Sequence, residues 1–338
     1  MSSIFGKIQE LDAMPSYSKH DQFVQGIMNA IDEKIISRGD SLPSVNVMIK
    51  ELGFARETVM KGYRDLISRG IVESKNRLGY FIANDDTGQT LKVALLMYLI
   101  DPFQQQFYGN FRDGLGENVH IDVFFHHGNI EVFETILTMI KGRYGMYVIS
   151  PIPHPRTKGL LEMIPRDKFL MFDRYEPLDG EFNHITQEFE QSSYKAFTEL
   201  TDAIRKFDEM IFFHTPGSLD PVEIVAAFKK FAKDKKVKVR ILPQYITGTI
   251  EKGKVYFSLN NAELWQIIKE SKTAGLKLGK DFGMLSHNDE TVKEIIGDGI
   301  TTYSTNFSLM GTRAAQAVLK KEKVQETIPT VLIRRKSL

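Results

Sequence analysis

The sequence predicts two joined folding units: a small α+β unit over the first quarter of the chain and an α/β unit over the rest. Three observations carry this. Apolar residues recur at helical spacing up to Ile67 and then alternate in two short runs ending at Ile82. A polar, aperiodic stretch follows at 85–90. Beyond it, short apolar runs alternate with amphipathic helical patterns to the end of the chain, as in α/β proteins with parallel sheets.

Bulk properties narrow the class. At 338 residues the chain exceeds the roughly 100–200 residues of one domain. Its 42% hydrophobic and 26% charged residues exclude a disordered or fibrous chain. Cysteine is absent, which excludes disulfide frameworks, thiol nucleophiles and thiolate metal sites, and fits a reducing compartment. The opening residues hold no secretory apolar core and no stretch reaches the ~20 apolar residues of a membrane span, so the expectation is a cytoplasmic protein without a membrane partner. The net charge of +1, from 44 basic and 43 acidic residues, argues against broad coating of nucleic acid. It leaves room for a few well-placed cations.

In the first unit, Phe23, Ile27, Ile31 and Ile35 predict a helix running to Ile36 and stopped by Gly39-Asp40. Ser44 is placed to cap a short helix carrying Val47, Met48 and Leu52. Gly53 marks a tight turn, and a second helix follows from about Arg56 to Arg69, with Val59, Tyr63, Leu66 and Ile67 on its apolar face. Gly70 ends it, and Ile71–Ser74 and Tyr80–Ile82 read as a two-stranded wing. Two helices about a glycine turn, then a β-hairpin, make a winged helix-turn-helix over 1–84, with 85–90 as linker.

In the second unit, 91–338, candidate strands are Lys92–Leu99, Ile121–Phe125, Met146–Ile149, Phe169–Phe172, Glu209–Phe213, Lys238–Leu242, Val255–Ser258, Gly283–Ser286 and Thr330–Ile333. Helical patterns such as Glu131–Lys141 and Pro221–Phe231 separate most of them, which gives more strands than one modest sheet holds. Ligands in such sheets bind beyond the carboxyl ends of the strands.

The run Leu42-Pro43-Ser44, Gly53-Phe54-Ala55-Arg56-Glu57-Thr58-Val59, Tyr63, Leu66, Gly70 and Gly79-Tyr80-Phe81-Ile82 resembles the GntR family of bacterial regulators. By physical reading alone, Arg56 and Thr58 open the helix that enters the major groove in helix-turn-helix proteins, where an arginine grips a guanine edge or a phosphate. Ser44 offers a hydroxyl and helix N-terminal N–H groups to phosphate. Asn46, Lys61, Lys75, Arg77 and Gly79 complete the expected DNA surface. The chain departs from the family at Asn46 and Met60, where arginine is frequent, and at Arg77, where glycine is.

From Leu91 onward the chain is similar to the effector domains of LacI-type repressors and periplasmic sugar-binding proteins. The carriers are Lys92–Leu96 followed by Asp101-Pro102-Phe103, Gly145–Ile149 after Tyr144, Phe172-Asp173-Arg174, Asn260-Asn261-Ala262 and Val331–Ser337. The resemblance implies two Rossmann-like lobes of the periplasmic-binding-protein type I fold, joined by three crossovers. The lobes are expected at 91–187 with 289–323, and at 188–288 with 324–338. It places ligand contacts at Asp101, Phe103, Asp173, Arg174, Asn261, His287 and Asn288, with Glu188 added. Carboxylates, amides and aromatic faces suit a polyhydroxylated ligand. Bland readings stand beside these: Asp173 pairing with Arg174 or capping a helix, Asn260 or Asn261 capping the helix of Ala262–Ser271, and Phe103 or Phe107 in the core. Trp265, one turn beyond Asn261, is open to both core and cleft.

The expectation is therefore a homodimeric, sugar-responsive repressor of a pseudo-palindromic operator, with no cofactor and no metal. Resemblance to fucose-responsive regulators makes L-fucose a candidate ligand. Two rivals stand: a winged helix fused to an enzymatic domain, for which no Schiff-base lysine is evident, and one that docks protein. His126-His127 lacks a carboxylate or third histidine at ligand spacing.

Overall fold

In the computed structural model the chain divides into two compact units, Met1–Leu91 and Lys92–Leu338. All residues are described except 1–2, 13–16, 86, 88–90, 118 and 142. Most of the expected linker, Asp86 and Gly88 to Thr90, thus lies outside the described residues.

The first unit holds α1 (Ile4–Gln9), α2 (Lys19–Asp32), α3 (Val45–Leu52), α4 (Arg56–Ser68), β1 (Val72–Lys75) and β2 (Gly79–Ile82). Helix α2 stops short of the expected Ile36. Lys34 takes a left-handed φ of 55° and the Ile35 N–H bonds the Ala30 carbonyl at 2.9 Å, which closes the helix from within. Ser44 caps α3 through the Val47 N–H at 3.4 Å, and Gly53 ends it at φ 69°. The core centres on Tyr63 of α4. Its ring stacks on Tyr80 of the wing at 4.0 Å and meets the edge of Phe23 of α2 at 5.1 Å, while its hydroxyl donates to the Pro43 carbonyl. One buried side chain thereby ties both helices of the motif to the wing. β1 and β2 pair antiparallel, Val72 opposite Ile82, and the Leu42 N–H adds a bond to the Tyr80 carbonyl at 2.8 Å.

The second unit runs β3 (Leu91–Met97), α5 (Pro102–Leu115), β4 (Val119–Phe125), α6 (Ile130–Ile140), β5 (Met146–Ile149), α7 (Thr157–Leu161), β6 (Phe169–Asp173), β7 (Asn183–Thr186), α8 (Glu190–Glu199), α9 (Thr201–Ile204) and β8 (Glu209–Phe213). It continues with α10 (Val222–Lys235), β9 (Val239–Leu242), β10 (Lys254–Ser258), α11 (Asn261–Ala274), β11 (Gly283–His287), α12 (Thr291–Ile295), β12 (Thr301–Thr305), α13 (Phe307–Lys320), β13 (Gln325–Thr327) and β14 (Thr330–Ile333). Two six-stranded sheets result, ordered β13-β7-β6-β5-β3-β4 and β14-β12-β11-β10-β8-β9. β14 runs antiparallel to β12, whereas β8, β9, β10, β11 and β12 pair in parallel. Each sheet is sandwiched by apolar helix faces, for example Phe133 and Leu137 of α6 on one and Phe228 and Phe231 of α10 on the other.

The chain passes between the lobes three times, at 187–189, 306 and 328–329. The expected lobe boundaries at 288/289 and 323/324 are corrected. β12 hydrogen-bonds to β11, so 289–305 belongs to the second lobe, and the chain returns only with α13, which packs along α5. β13 pairs with β7 and stays in the first lobe, so only the chain after it crosses back.

Candidate ligand cleft and nucleic-acid interface

Between the two sheets of the second unit lies a cleft of about 490 Å³, within the ~300–1,000 Å³ of small-molecule sites. The carboxyl ends of the strands form it. Tyr98 and Asp101 come from the β3–α5 connection and Phe103 and Gln104 from the first turn of α5, Ser150 to Pro153 follow β5, and Asp173 and Arg174 end and follow β6. The facing lobe supplies Ser218 to Pro221 after β8, Asn260 and Asn261 after β10, and His287 and Asn288 at the end of β11. Gln187 and Phe189 lie in a crossover. Seven expected positions therefore meet here: Asp101, Phe103, Asp173, Arg174, Asn261, His287 and Asn288. Glu188 does not line the cleft. Its carboxylate accepts from the Gln191 and Ser192 N–H groups at 2.8 Å each and caps α8.

The bland readings resolve residue by residue. Asn260, not Asn261, caps α11, through the Ala262 N–H at 2.9 Å. Phe107 is core, stacked on Phe172 at 4.2 Å, while Phe103 lines the cleft against Phe307 at 4.9 Å. Trp265 packs against the Tyr256, Leu264 and Phe282 cluster and is not a lining residue. His126 is engaged on both nitrogens, with the Ser150 carbonyl at 3.2 Å and the Gly128 N–H at 3.1 Å.

Burial governs the electrostatics. It pushes the Asp101 carboxyl up to about 7 against the pull of the Gln104 N–H that this carboxylate caps at 2.9 Å, and the charge of Asp173 adds to the rise. Asp173, at a left-handed φ of 68°, is raised by burial despite Arg174 and despite donors from Gln187 and Ser150. Burial lowers His126 to about 4 and His287 to about 3, so both imidazoles are neutral at pH 7. Arg174 reaches across the cleft to the Leu219 carbonyl at 2.6 Å and lies 5.7 Å over the Phe189 ring. The Leu219 side chain itself packs against the apolar cluster of the first lobe.

Sequence reading missed four contributors: Gln104, Gln187, Leu219 and Lys293. Lys293 is 2% exposed and donates to Ser286 Oγ (2.9 Å), the His287 carbonyl (3.1 Å) and the Asn288 carbonyl (2.7 Å), fixing the loop that carries His287 and Asn288. Burial draws its pKa down to about 8.

In the first unit Ser44, Asn46, Arg56, Lys61, Lys75, Arg77 and Gly79 are exposed and Thr58 is half-buried. Arg56 Nη1 donates to Asn46 Oδ1 at 3.0 Å, so adjacent helices hold this exposed arginine between them. Lys75 pairs with Glu73 at 3.0 Å and stands over Phe81. Arg77 adopts φ 62° at the wing tip, the conformation for which glycine is the usual choice.

The first unit is thus a winged helix-turn-helix, and the second holds two mainly parallel-sheet lobes around a cleft. The helix-turn-helix is of the GntR type: residues 19–82 match the gntR family of bacterial regulatory proteins. Over 80 residues, 23% of this chain, it is 32% identical to the HTH-type transcriptional regulator Rv1152 of Mycobacterium tuberculosis, and the match spans 66% of that relative's length. The two-lobed unit has the fold of LacI-family regulators. A LacI-family transcriptional regulator from Lactobacillus casei with bound sucrose covers 74% of this chain and all of its own, at TM-score 0.63 and 14% identity. The trehalose repressor from Escherichia coli covers 72% of this chain and all of its own, at TM-score 0.62 and 13% identity. The matching family and these neighbours are regulators, not enzymes. Among the described residues no helix is long and apolar enough to cross a membrane.

Proposed function

We propose that the protein is a sugar-responsive repressor of a carbohydrate-utilisation operon, binding a pseudo-palindromic operator as a homodimer. The observation that carries this reading is the cleft: carboxylates, amides and one guanidinium converge on it from both lobes, with Tyr98, Phe103 and Phe189 supplying aromatic surface. That mixture suits a ring with hydroxyl edges and C–H faces. Two structurally similar proteins are by name a sucrose-bound regulator and a trehalose repressor, which supports a saccharide ligand. Asp101, Phe103, Asp173, Arg174, Asn261, His287 and Asn288 are the proposed contacts. Ser44, Asn46, Arg56, Thr58, Lys61, Lys75, Arg77 and Gly79 form the proposed DNA surface. L-Fucose is the first ligand to try.

In the proposed mechanism, sugar binds the two lobes in one relative orientation better than in another, and this difference alone shifts the equilibrium toward weaker operator binding. A coupling of ~1–3 kcal/mol would weaken DNA binding ~5–150-fold. The test joins thermal shift of the full chain over a sugar panel with fluorescence anisotropy on an operator selected from random sequence. A sugar at 100 times its dissociation constant adds about 2.7 kcal/mol of stability and lowers operator affinity. If every sugar leaves both the melting curve and the DNA titration unmoved, the proposal fails.

A further inference from the structure

We infer that the interlobe cleft selects an uncharged or amine-bearing polyhydroxylated ligand over the same skeleton carrying a phosphate or carboxylate. The inference rests on the sugar-sensing reading above and adds to it the charge class of the ligand.

Three observations converge. The first is where the helices begin. Helix N-termini are the ready anion sites of α/β proteins, and at this cleft the protein's own side chains fill them. Asp101 caps α5 with its carboxylate and Asn260 caps α11 with its amide oxygen. Helix α10 has no side-chain cap but starts two residues after Asp220, a third carboxylate on the lining.

The second is the supply of cations. Among the described lining residues Arg174 is the sole arginine or lysine, and it is already bonded to the Leu219 carbonyl and laid over Phe189. Lys293 stands behind the lining with its three donors directed to Ser286, His287 and Asn288. The two lining histidines are neutral at pH 7. Against one guanidinium stand Asp101, Asp173 and Asp220, with Glu290 behind Asn261.

The third is an excess of acceptors. Asn261 Nδ2 donates to Glu290 Oε1 at 2.7 Å, which fixes the amide and leaves Asn261 Oδ1 buried without a donor. An asparagine in this position thus still presents an oxygen, as an aspartate would, because Glu290 dictates which way the amide turns. Gln104 Oε1, on a side chain 3% exposed, and Asn288 Oδ1 are also buried without partners. Buried acceptors lacking donors cost stability that a ligand hydroxyl or ammonium restores. An ionised phosphate or carboxylate group brings no donor, and once Asp101 ionises above about pH 7 it faces like charge as well.

The test is isothermal titration of the full-length protein at pH 8, where Asp101 is ionised. The probes are matched sets: glucose, glucosamine, glucose 6-phosphate and glucuronate; galactose, galactosamine, galactose 6-phosphate and galacturonate; L-fucose and its 1-phosphate; sucrose and trehalose with their 6-phosphates. For any skeleton that binds, the neutral or amino member is expected at least about tenfold tighter than its anionic counterpart. Asp101→Asn, which keeps a capping oxygen, narrows that gap severalfold. A phosphate or acid binding more tightly than its neutral parent overturns the inference and leaves the sugar reading standing. A gap that Asp101→Asn does not change overturns its electrostatic basis. No binding by any member overturns the sugar reading and the inference with it.

Discussion

Replacing Gly128 by alanine tests the seating of one lobe on the other without any knowledge of the ligand. Gly128 follows β4 in the first lobe at φ +72°, and an added Cβ would stand 1.9 Å from Leu219 Cδ1 and 2.9 Å from Tyr98 Cε2. Leu219 belongs to the second lobe, so the clash falls on the contact that spans the cleft. Two penalties separate cleanly. Holding alanine in the left-handed region costs roughly 1–2 kcal/mol whatever its neighbours do. Overpacking against Leu219 adds about 1–3 kcal/mol, unless the lobes part to relieve it. Leu219→Ala alone forfeits a half-buried side chain, about 1–2 kcal/mol at ~0.8 kcal/mol per methylene. In the double variant the overpacking disappears while the backbone strain stays. Urea unfolding of the four proteins should therefore give a combined loss about 1–3 kcal/mol smaller than additivity demands. Small-angle scattering should show Gly128→Ala more extended than the parent, and the double variant compact again. Additive losses to within about 0.5 kcal/mol, with unchanged scattering, would refute the contact.

Three other predictions concern charge, DNA and packing. The folded Asp101 keeps a proton up to about pH 7 that the unfolded chain sheds near its ordinary 3.8. Stability therefore falls as pH rises between those values and levels off above the upper one; Asp101→Asn removes that slope, read as the melting-temperature difference from the parent across pH 4–8. Arg56→Ala should cost about 1–3 kcal/mol on a selected operator and less on random DNA, whereas Lys61→Ala should weaken both alike and lower the salt slope by about one; equal losses from Arg56→Ala on the two DNAs would remove its assignment as a base reader. A Cβ on Gly62 would stand 2.3 Å from Phe23 Cδ1 in the core of the first unit; Gly62→Ala should destabilise it by about 1–3 kcal/mol, seen in the unfolding of the isolated low-temperature transition or, if the chain melts once, in the shared one.

What the sequence made legible follows from which residues state their role locally. The apolar runs of β3, β5, β6 and β8 are buried on both faces and announce themselves. β12, Thr-Thr-Tyr-Ser-Thr, is equally buried yet is not among the candidate strands, because it lacks an apolar run and its hydroxyls are satisfied by partners distant in the chain: Arg335, Asp289 and Gln187. Missing it displaced a lobe boundary. β7 and β13 are short and polar for a related reason, since they close the edge of the first sheet. Cleft-lining residues at strand ends were readable by position. Gln104, Leu219 and Lys293 were not, because an amide in a helix's first turn, a leucine in a loop and a lysine in a short helix have nothing local to mark them. The closing Arg335-Lys336-Ser337 proves structural: Arg335 grips Asp289 through two nitrogens at 2.7 and 2.8 Å, and Ser337 bonds Met284 and Thr301.

The cleft and the crossovers share one hydrogen-bonded chain, and this bears on how a small ligand could move two lobes. Asp173 accepts from Gln187 Nε2; Gln187 Oε1 accepts from Thr305 Oγ1 at 3.1 Å; Thr305 Oγ1 lies 3.1 Å from Thr330 Oγ1. Gln187 sits in the first crossover, Thr305 immediately before the second and Thr330 just after the third. One cleft carboxylate is thus linked, through Gln187 and Thr305, to all three crossovers between the lobes. A hydrogen bond contributes about 0.5–1.5 kcal/mol net, and typical coupling between sites is ~1–3 kcal/mol. The two ranges meet, so in the proposed mechanism a ligand hydroxyl that competed with Gln187 for Asp173 would need to rearrange only one bond to shift the lobe equilibrium by a useful amount.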